Sequence, residues 1–243
     1  MSLADDFRPE TWADFIGNPK TVERLRAVLN LPDFGANSGE AFWISGPSGV
    51  GKTTLAWLIA RELIGRDLAP GQEWRSMQHW CVLCANGKRC TMGQAAGQSG
   101  LSVAEIEQWL PMYPPTGGWK VAIIDEGQSL REGAVEAFLS TLDPLPPRRA
   151  VVFTSTSELK IPGKKDPAPL FGEFTAPFAR RCKRFKLTDQ GLCEPFAARA
   201  KEIAQARGLD GKPIAAYVSL LRDSHNNFGD ALQRIGALEM KGD

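Results

Sequence analysis

The sequence predicts an α/β fold, in which a parallel sheet of buried strands has helices on both faces and a small helical domain follows. Three observations carry this. Ala41–Ser45, Trp119–Ile124 and Ala150–Phe153 are short, continuous apolar runs, as strands covered on both faces are. Segments with apolar residues at helical spacing lie between them, among them Thr54–Ile64 and Leu130–Leu142. Beyond a strand-like Phe185-Lys186-Leu187 no further strand is evident, and Glu194–Ala206, Ile214–Leu221 and Gly229–Glu239 read as three helices. The expected division is residues 1–187 as the α/β domain and 188–243 as the helical one, with the boundary near Leu187–Gly191.

The first strand runs into Gly46-Pro47-Ser48-Gly49-Val50-Gly51-Lys52-Thr53, which fits the phosphate-binding P-loop pattern. Gly46, Gly49 and Gly51 allow backbone conformations that turn successive N–H groups toward an anion. Lys52 supplies a cation to the β- and γ-phosphates, and Thr53 a hydroxyl to Mg²⁺. The helix that opens at Thr54 adds its dipole. Some seventy residues later the strand Trp119–Ile124 ends in Asp125-Glu126. At that place Asp125 is expected to hold Mg²⁺ and Glu126 to polarise a water. The third strand ends in Thr154-Ser155-Thr156-Ser157, where open α/β sheets bind ligands.

A chain of 243 residues, 43% hydrophobic, can bury one large domain or a domain with a small appendage. With 29 basic and 28 acidic residues, net charge argues neither for nor against nucleic acid. No apolar run is long enough for a membrane span, and the first residues lack a signal-peptide apolar region, so a soluble, cytoplasmic protein with no membrane partner is expected. Five cysteines, an odd number unevenly spread, argue against a disulfide framework.

Along the chain, Asn18-Pro19 reads as a helix start with Asn18 as N-cap, and Leu31–Glu40 as a loop. Within residues 73–92, Cys81, Cys84 and Cys90 suit a chelating turn plus a third thiolate for Zn²⁺, with His79 as the nearest fourth ligand; three free thiols are the alternative. Leu101–Leu110 reads as a helix with Ser102 and Glu105 in capping-box positions. Lys160–Pro177 is a Pro- and Gly-rich loop, and Arg180, Arg181, Lys183 and Arg184 concentrate charge after it.

This order of motifs resembles the AAA+ ATPases, and within them the clamp-loader subunits of the bacterial γ/τ type and the replication factor C small subunits. Phe7-Arg8-Pro9 followed by Ile16-Gly17 is similar to the family's opening, whose residues line the adenine pocket, so Arg8, Pro9, Ile16 and Gly17 are expected there. Tyr113–Leu130 is similar to the stretch around the family's Asp-Glu strand. The resemblance implies a five-stranded parallel sheet and a three-helix lid. ATP and Mg²⁺ would lie between them, contacted by Pro47, Ser48, Val50 and Thr54 besides the P-loop residues above. The cysteines fall where bacterial relatives carry a zinc module. Thr156 matches the sensor-1 position at the γ-phosphate. Arg181-Cys182 matches the motif whose arginine reaches the ATP of the next subunit, with Arg180 as a competitor for the role. Gly229-Asp230-Ala231-Leu232 resembles the sensor-2 helix without its arginine; Arg234 lies a little further on. The family's helical collar has no counterpart in this sequence. The implied work is loading a sliding clamp onto primer–template DNA with other clamp-loader subunits. Helicase loading, branch migration and a nucleotide-binding scaffold are the alternatives.

Overall fold

The computed structural model describes residues 3–68, 81–85, 88–90, 106, 108–112, 118–130, 138–156, 177, 180–238 and 240. His79, the Ser102–Glu105 capping box and the loop Lys160–Pro177 short of its last residue lie outside the described residues.

Six strands form one sheet: β1 (Glu40–Ser45), β2 (Cys81–Ala85), β3 (Lys88–Cys90), β4 (Lys120–Asp125), β5 (Arg149–Ser155) and β6 (Cys182–Lys186). Their order is β3-β2-β4-β5-β1-β6. All neighbours pair in parallel except β3, which runs antiparallel to β2 at the edge. The expected five parallel strands are thus joined by a sixth. The fifth parallel strand is Cys81–Ala85, the segment whose cysteine spacing suggests a chelating turn. That expectation is corrected: the backbone of Cys81 and Cys84 is extended and paired with Val121–Asp125 of β4, and Cys90 lies in β3. Cys-Val-Leu-Cys-Ala is itself a β-compatible apolar run, and five residues of ladder hydrogen bonding favour the strand.

The sheet is buried on both faces with strict period-two alternation. Phe42 and Ile44 of β1, Val121 and Ile123 of β4, and Ala150 and Val152 of β5 join one core with helices α2 (Pro19–Leu29) and α3 (Lys52–Gly65). Ala41, Trp43, Ala122, Ile124, Val151 and Phe153 join the other, against Ile106, Leu110 and Phe138. Helix α3 is buried almost all round, from Leu55 to Ile64, because it lies between the sheet and the helices at the end of the chain. Between the second core and the sheet, Arg149 is fully buried and donates to the carbonyls of Leu110 (2.8 Å) and Met112 (3.1 Å). It fastens a loop that has little apolar surface of its own.

Asn18 occupies the N-cap position of α2, but with left-handed backbone (φ 52°) and no side-chain cap. Its amide instead exchanges two hydrogen bonds with the backbone of Thr188, at 3.0 and 2.8 Å. A short-range cap is replaced by a tie across 170 residues, between the opening segment and the end of β6. After β6 come α4 (Cys193–Ala206), α5 (Ile214–Asp223) and α6 (Phe228–Gly236), close to the bounds the periodicity predicts. A short helix α1 (Leu3–Asp6) lies against α6.

In the terminal helices, half-buried Asp210 accepts from Tyr217 Oη (2.7 Å) and Lys201 Nζ (3.0 Å). The tyrosine hydroxyl, then the lysine, hold its carboxyl down to about 2. A depressed carboxylate contributes stability above its unfolded value near 4, and that contribution is lost as pH falls through 2. Asp210→Asn is therefore expected to lower the unfolding temperature at pH 7 and to flatten its decline between pH 4 and 2. Thermal unfolding of both proteins across that range checks this.

Candidate functional site

The carboxyl ends of β1, β4 and β5 converge on one cavity of about 350 Å³, closed from the far side by α6. The P-loop enters it from β1. Gly51, at the N-terminus of α3, has φ 95°. Gly49 has φ 77°, and a Cβ there would fall 2.4 Å from Asn227 Cα, so only glycine lets α6 approach the loop this closely. Ser48, Gly49, Gly51, Lys52, Thr53 and Thr54 all line the cavity. Val50 is buried behind it and lines an adjoining apolar pocket.

Lys52 is 6% exposed, and its Nζ donates to Gly46 O (2.9 Å) and Pro47 O (2.6 Å). Burial pulls its proton affinity down, while the charges of Glu126 and Asp125 act the other way. Asp125 Oδ1 accepts from Thr53 Oγ1 at 2.8 Å. A hydroxyl and a carboxylate at the wall of a phosphate-sized cavity form the hard-oxygen donor set that Mg²⁺ prefers, so these residues fit the ion. Glu126 also lines the cavity, in left-handed backbone (φ 55°).

Two residues that sequence reasoning missed hold this pair. Thr154 is fully buried; its hydroxyl donates to Asp125 Oδ1 and accepts from Glu126 N (3.2 Å). Gln128 donates through Nε2 to Glu126 Oε2, and its Oε1 accepts from Thr156 N (3.1 Å). The signal for Thr154 lay in the hydroxyl cluster after the third apolar run. Because β5 extends to Ser155, Thr154 is inside the strand and faces Asp125. Thr156 follows the strand, exposed, and meets Glu126 only through Gln128. Thr154→Val keeps the shape and removes both hydrogen bonds. It is expected to lower stability by about 1–3 kcal/mol, read by urea unfolding.

The opening segment is divided between sites. Pro9 and Ile16 line the small apolar pocket, about 60 Å³, together with Phe15, Val50, Phe196 and Phe228. The rings of Phe196 and Phe228 lie 4.8 Å apart and form its wall. Arg8 instead lines the larger cavity. Gly17 (φ 87°) lies at a separate groove, its Cα against Leu192. In α6, Gly229 and Leu232 face the cavity, whereas Arg234 Nη1 lies 3.5 Å from Ser224 Oγ.

Arg181 is tied within its own chain, with Nη2 3.0 Å from Asp143 Oδ2, while Arg180 is exposed. The adjacent Cys182 is buried, and desolvation pushes its thiol up to about 12. Among the described residues no His, Cys, Asp and Glu side chains gather into a metal-holding group. The side chains of Cys81, Cys84 and Cys90 lie outside what is described, as does His79. No described helix is long and apolar enough to cross a membrane.

A family profile described as the Holliday junction DNA helicase RuvB P-loop domain matches residues 7–69. Replication factor C subunit 4 of Saccharomyces cerevisiae is 30% identical over 150 residues, covering 59% of this chain and 38% of that protein. DNA polymerase III subunit tau of Bacillus subtilis is 30% identical over 215 residues, covering 84% of this chain. The chain spans 33% of that relative's length. Among solved structures, the Thermotoga maritima RuvB Holliday junction branch migration motor superposes over 95% of this chain and 64% of its own, with TM-score 0.61 and 19% identity. That likeness extends the shared fold through the terminal helices.

Proposed function

Because the chain belongs to the AAA+ P-loop ATPases of the clamp-loader type, we propose that it hydrolyses ATP as one subunit of a ring that loads a sliding clamp onto primer–template DNA. The observation that carries the catalytic part is the convergence of Lys52, Thr53, Asp125 and Glu126 on one cavity, with Thr53 Oγ1 and Asp125 Oδ1 2.8 Å apart.

In this reading the base enters the apolar pocket between Pro9, Ile16 and Phe228, and the P-loop amides surround the phosphates. Lys52 transfers its hydrogen bonds from the Gly46 and Pro47 carbonyls to phosphate oxygens. Thr53 and Asp125 hold Mg²⁺, which when bound neutralises charge on the phosphate oxygens. Glu126 accepts the proton of the attacking water, and Thr154 and Gln128 keep its backbone and carboxylate in place. Thr156, reached through Gln128, reports the state of the phosphate to the end of β5. Arg181 stabilises the phosphates of a neighbouring subunit once Asp143 releases it, and Arg180, already exposed, is its competitor. The isolated chain is therefore a slow ATPase.

Replication factor C and DNA polymerase III tau relatives support clamp loading over other work. The RuvB profile over residues 7–69 favours a second reading, branch migration. The test is capture of a sliding clamp from the same source by the Glu126→Gln chain. Clamp retained with ATP and released with ADP supports clamp loading. No capture, with turnover of the unaltered chain raised by a four-way DNA junction, supports branch migration.

A further inference from the structure

The phosphate cavity carries an uneven set of charges. Asp125 and Glu126 place two carboxylates in its wall, and the basic side chains that line it are Lys52 and Arg8. A nucleoside triphosphate adds several more negative charges to that space. From the opposite side α6 contributes Gly229 and Leu232, which carry no charge, and its own arginine, Arg234, is directed to Ser224.

We propose that Arg8 is a polyphosphate-binding residue, supplying the second cation of the site, and that it moves with the helices that cover it. The proposal rests on the ATP-hydrolysing reading above. Pro9, the next residue, belongs to the apolar pocket, so the chain passes from base to phosphates between positions 9 and 8. A guanidinium there presents a planar fork suited to phosphate oxygens.

The segment that bears Arg8 is fastened to the terminal helices. Asp6 pairs with Arg207 at the end of α4, and the same guanidinium lies 5.1 Å over the ring of Phe7. Leu3 lies against α6, 3.5 Å from where a Cβ on Gly236 would stand. Leu3, Ala4 and Phe7 pack on the main core beside those helices. A shift of α4–α6 relative to the sheet carries Arg8 with it. The opening segment thereby does what a cationic side chain on α6 would do, linking the phosphates to the position of the helices.

The experiment displaces a fluorescent ATP analogue with ATP and, separately, with inorganic tripolyphosphate, which has no base. Arg8→Ala is expected to weaken both competitors about 10- to 100-fold, a charge-assisted contact's worth. Arg8→Gln serves as a second variant should the first fail to fold, judged by thermal unfolding. Weaker ATP with unchanged tripolyphosphate would put Arg8 on the base and overturn the proposal, as would no change in either. Arg207→Ala, outside the cavity, is expected to weaken both by a smaller factor, about 3-fold. Unchanged binding in that variant overturns the attachment to the helices. An unaltered chain that binds no ATP refutes the ATPase reading itself, whereas ATP binding indifferent to Arg8 refutes this inference alone.

Discussion

Replacing Glu126 with Gln is expected to lower ATP turnover about 100-fold or more while leaving ATP bound. A positioned general base contributes roughly 10²- to 10⁴-fold to a rate, and glutamine keeps the shape while losing the basicity. The fold should tolerate the change. The left-handed backbone at position 126 is held by the N–H bond to Thr154 Oγ1, which the substitution does not touch. An amide oxygen can still accept from Gln128. Binding and turnover measured on the same preparation separate this from unfolding. Turnover equal to that of the unaltered chain would remove Glu126 from the reaction.

Lys52→Ala is expected to act one step earlier, weakening ATP binding about 100-fold or more. Lys52 is nearly inaccessible to water, yet it faces a cavity that also carries two carboxylates. Each charge-assisted hydrogen bond it gives to phosphate is worth about 1.5–3 kcal/mol, and tenfold in affinity corresponds to about 1.4 kcal/mol. Without that cation the phosphates meet Asp125 and Glu126 with less compensation. Calorimetric titration with ATP and Mg²⁺ gives the result directly. Affinity within a few fold of the unaltered chain would mean that the phosphates bind elsewhere.

The parts of this site that were legible in the sequence are those in which local pattern and chemistry coincide. The run from Ala41 to Thr53 needs a strand, a glycine turn and a helix start in immediate succession, and residues of each type stand in that order. Asp125 and Glu126 follow a continuous apolar run, so their place at a strand end was readable, and the three terminal helices showed their periodicity. The rest depended on tertiary placement. β2 was concealed because cysteine spacing suggests metal ligation, while its pairing with β4 is a contact between distant segments. Asn18 sits where a cap belongs, but its amide finds Thr188, a partner no local pattern reveals. Thr154 and Gln128 differ from their polar neighbours only in facing the carboxylates, which depends on where β5 ends and on the turn Gly127–Ser129. Arg8 and Pro9 are adjacent in sequence and line different cavities, a division fixed by the packing of Phe7 and Phe228 around them.

The central claim is that this cavity hydrolyses ATP in a subunit whose turnover awaits partners. The most direct measurement is steady-state ATP hydrolysis by the purified chain alone, with primed DNA, and with primed DNA plus a sliding clamp and companion subunits from the same source. Low turnover alone that rises with DNA, clamp and subunits together, and that Glu126→Gln abolishes, is the predicted result. Strong turnover by the isolated chain, indifferent to every addition and to Glu126, would contradict it.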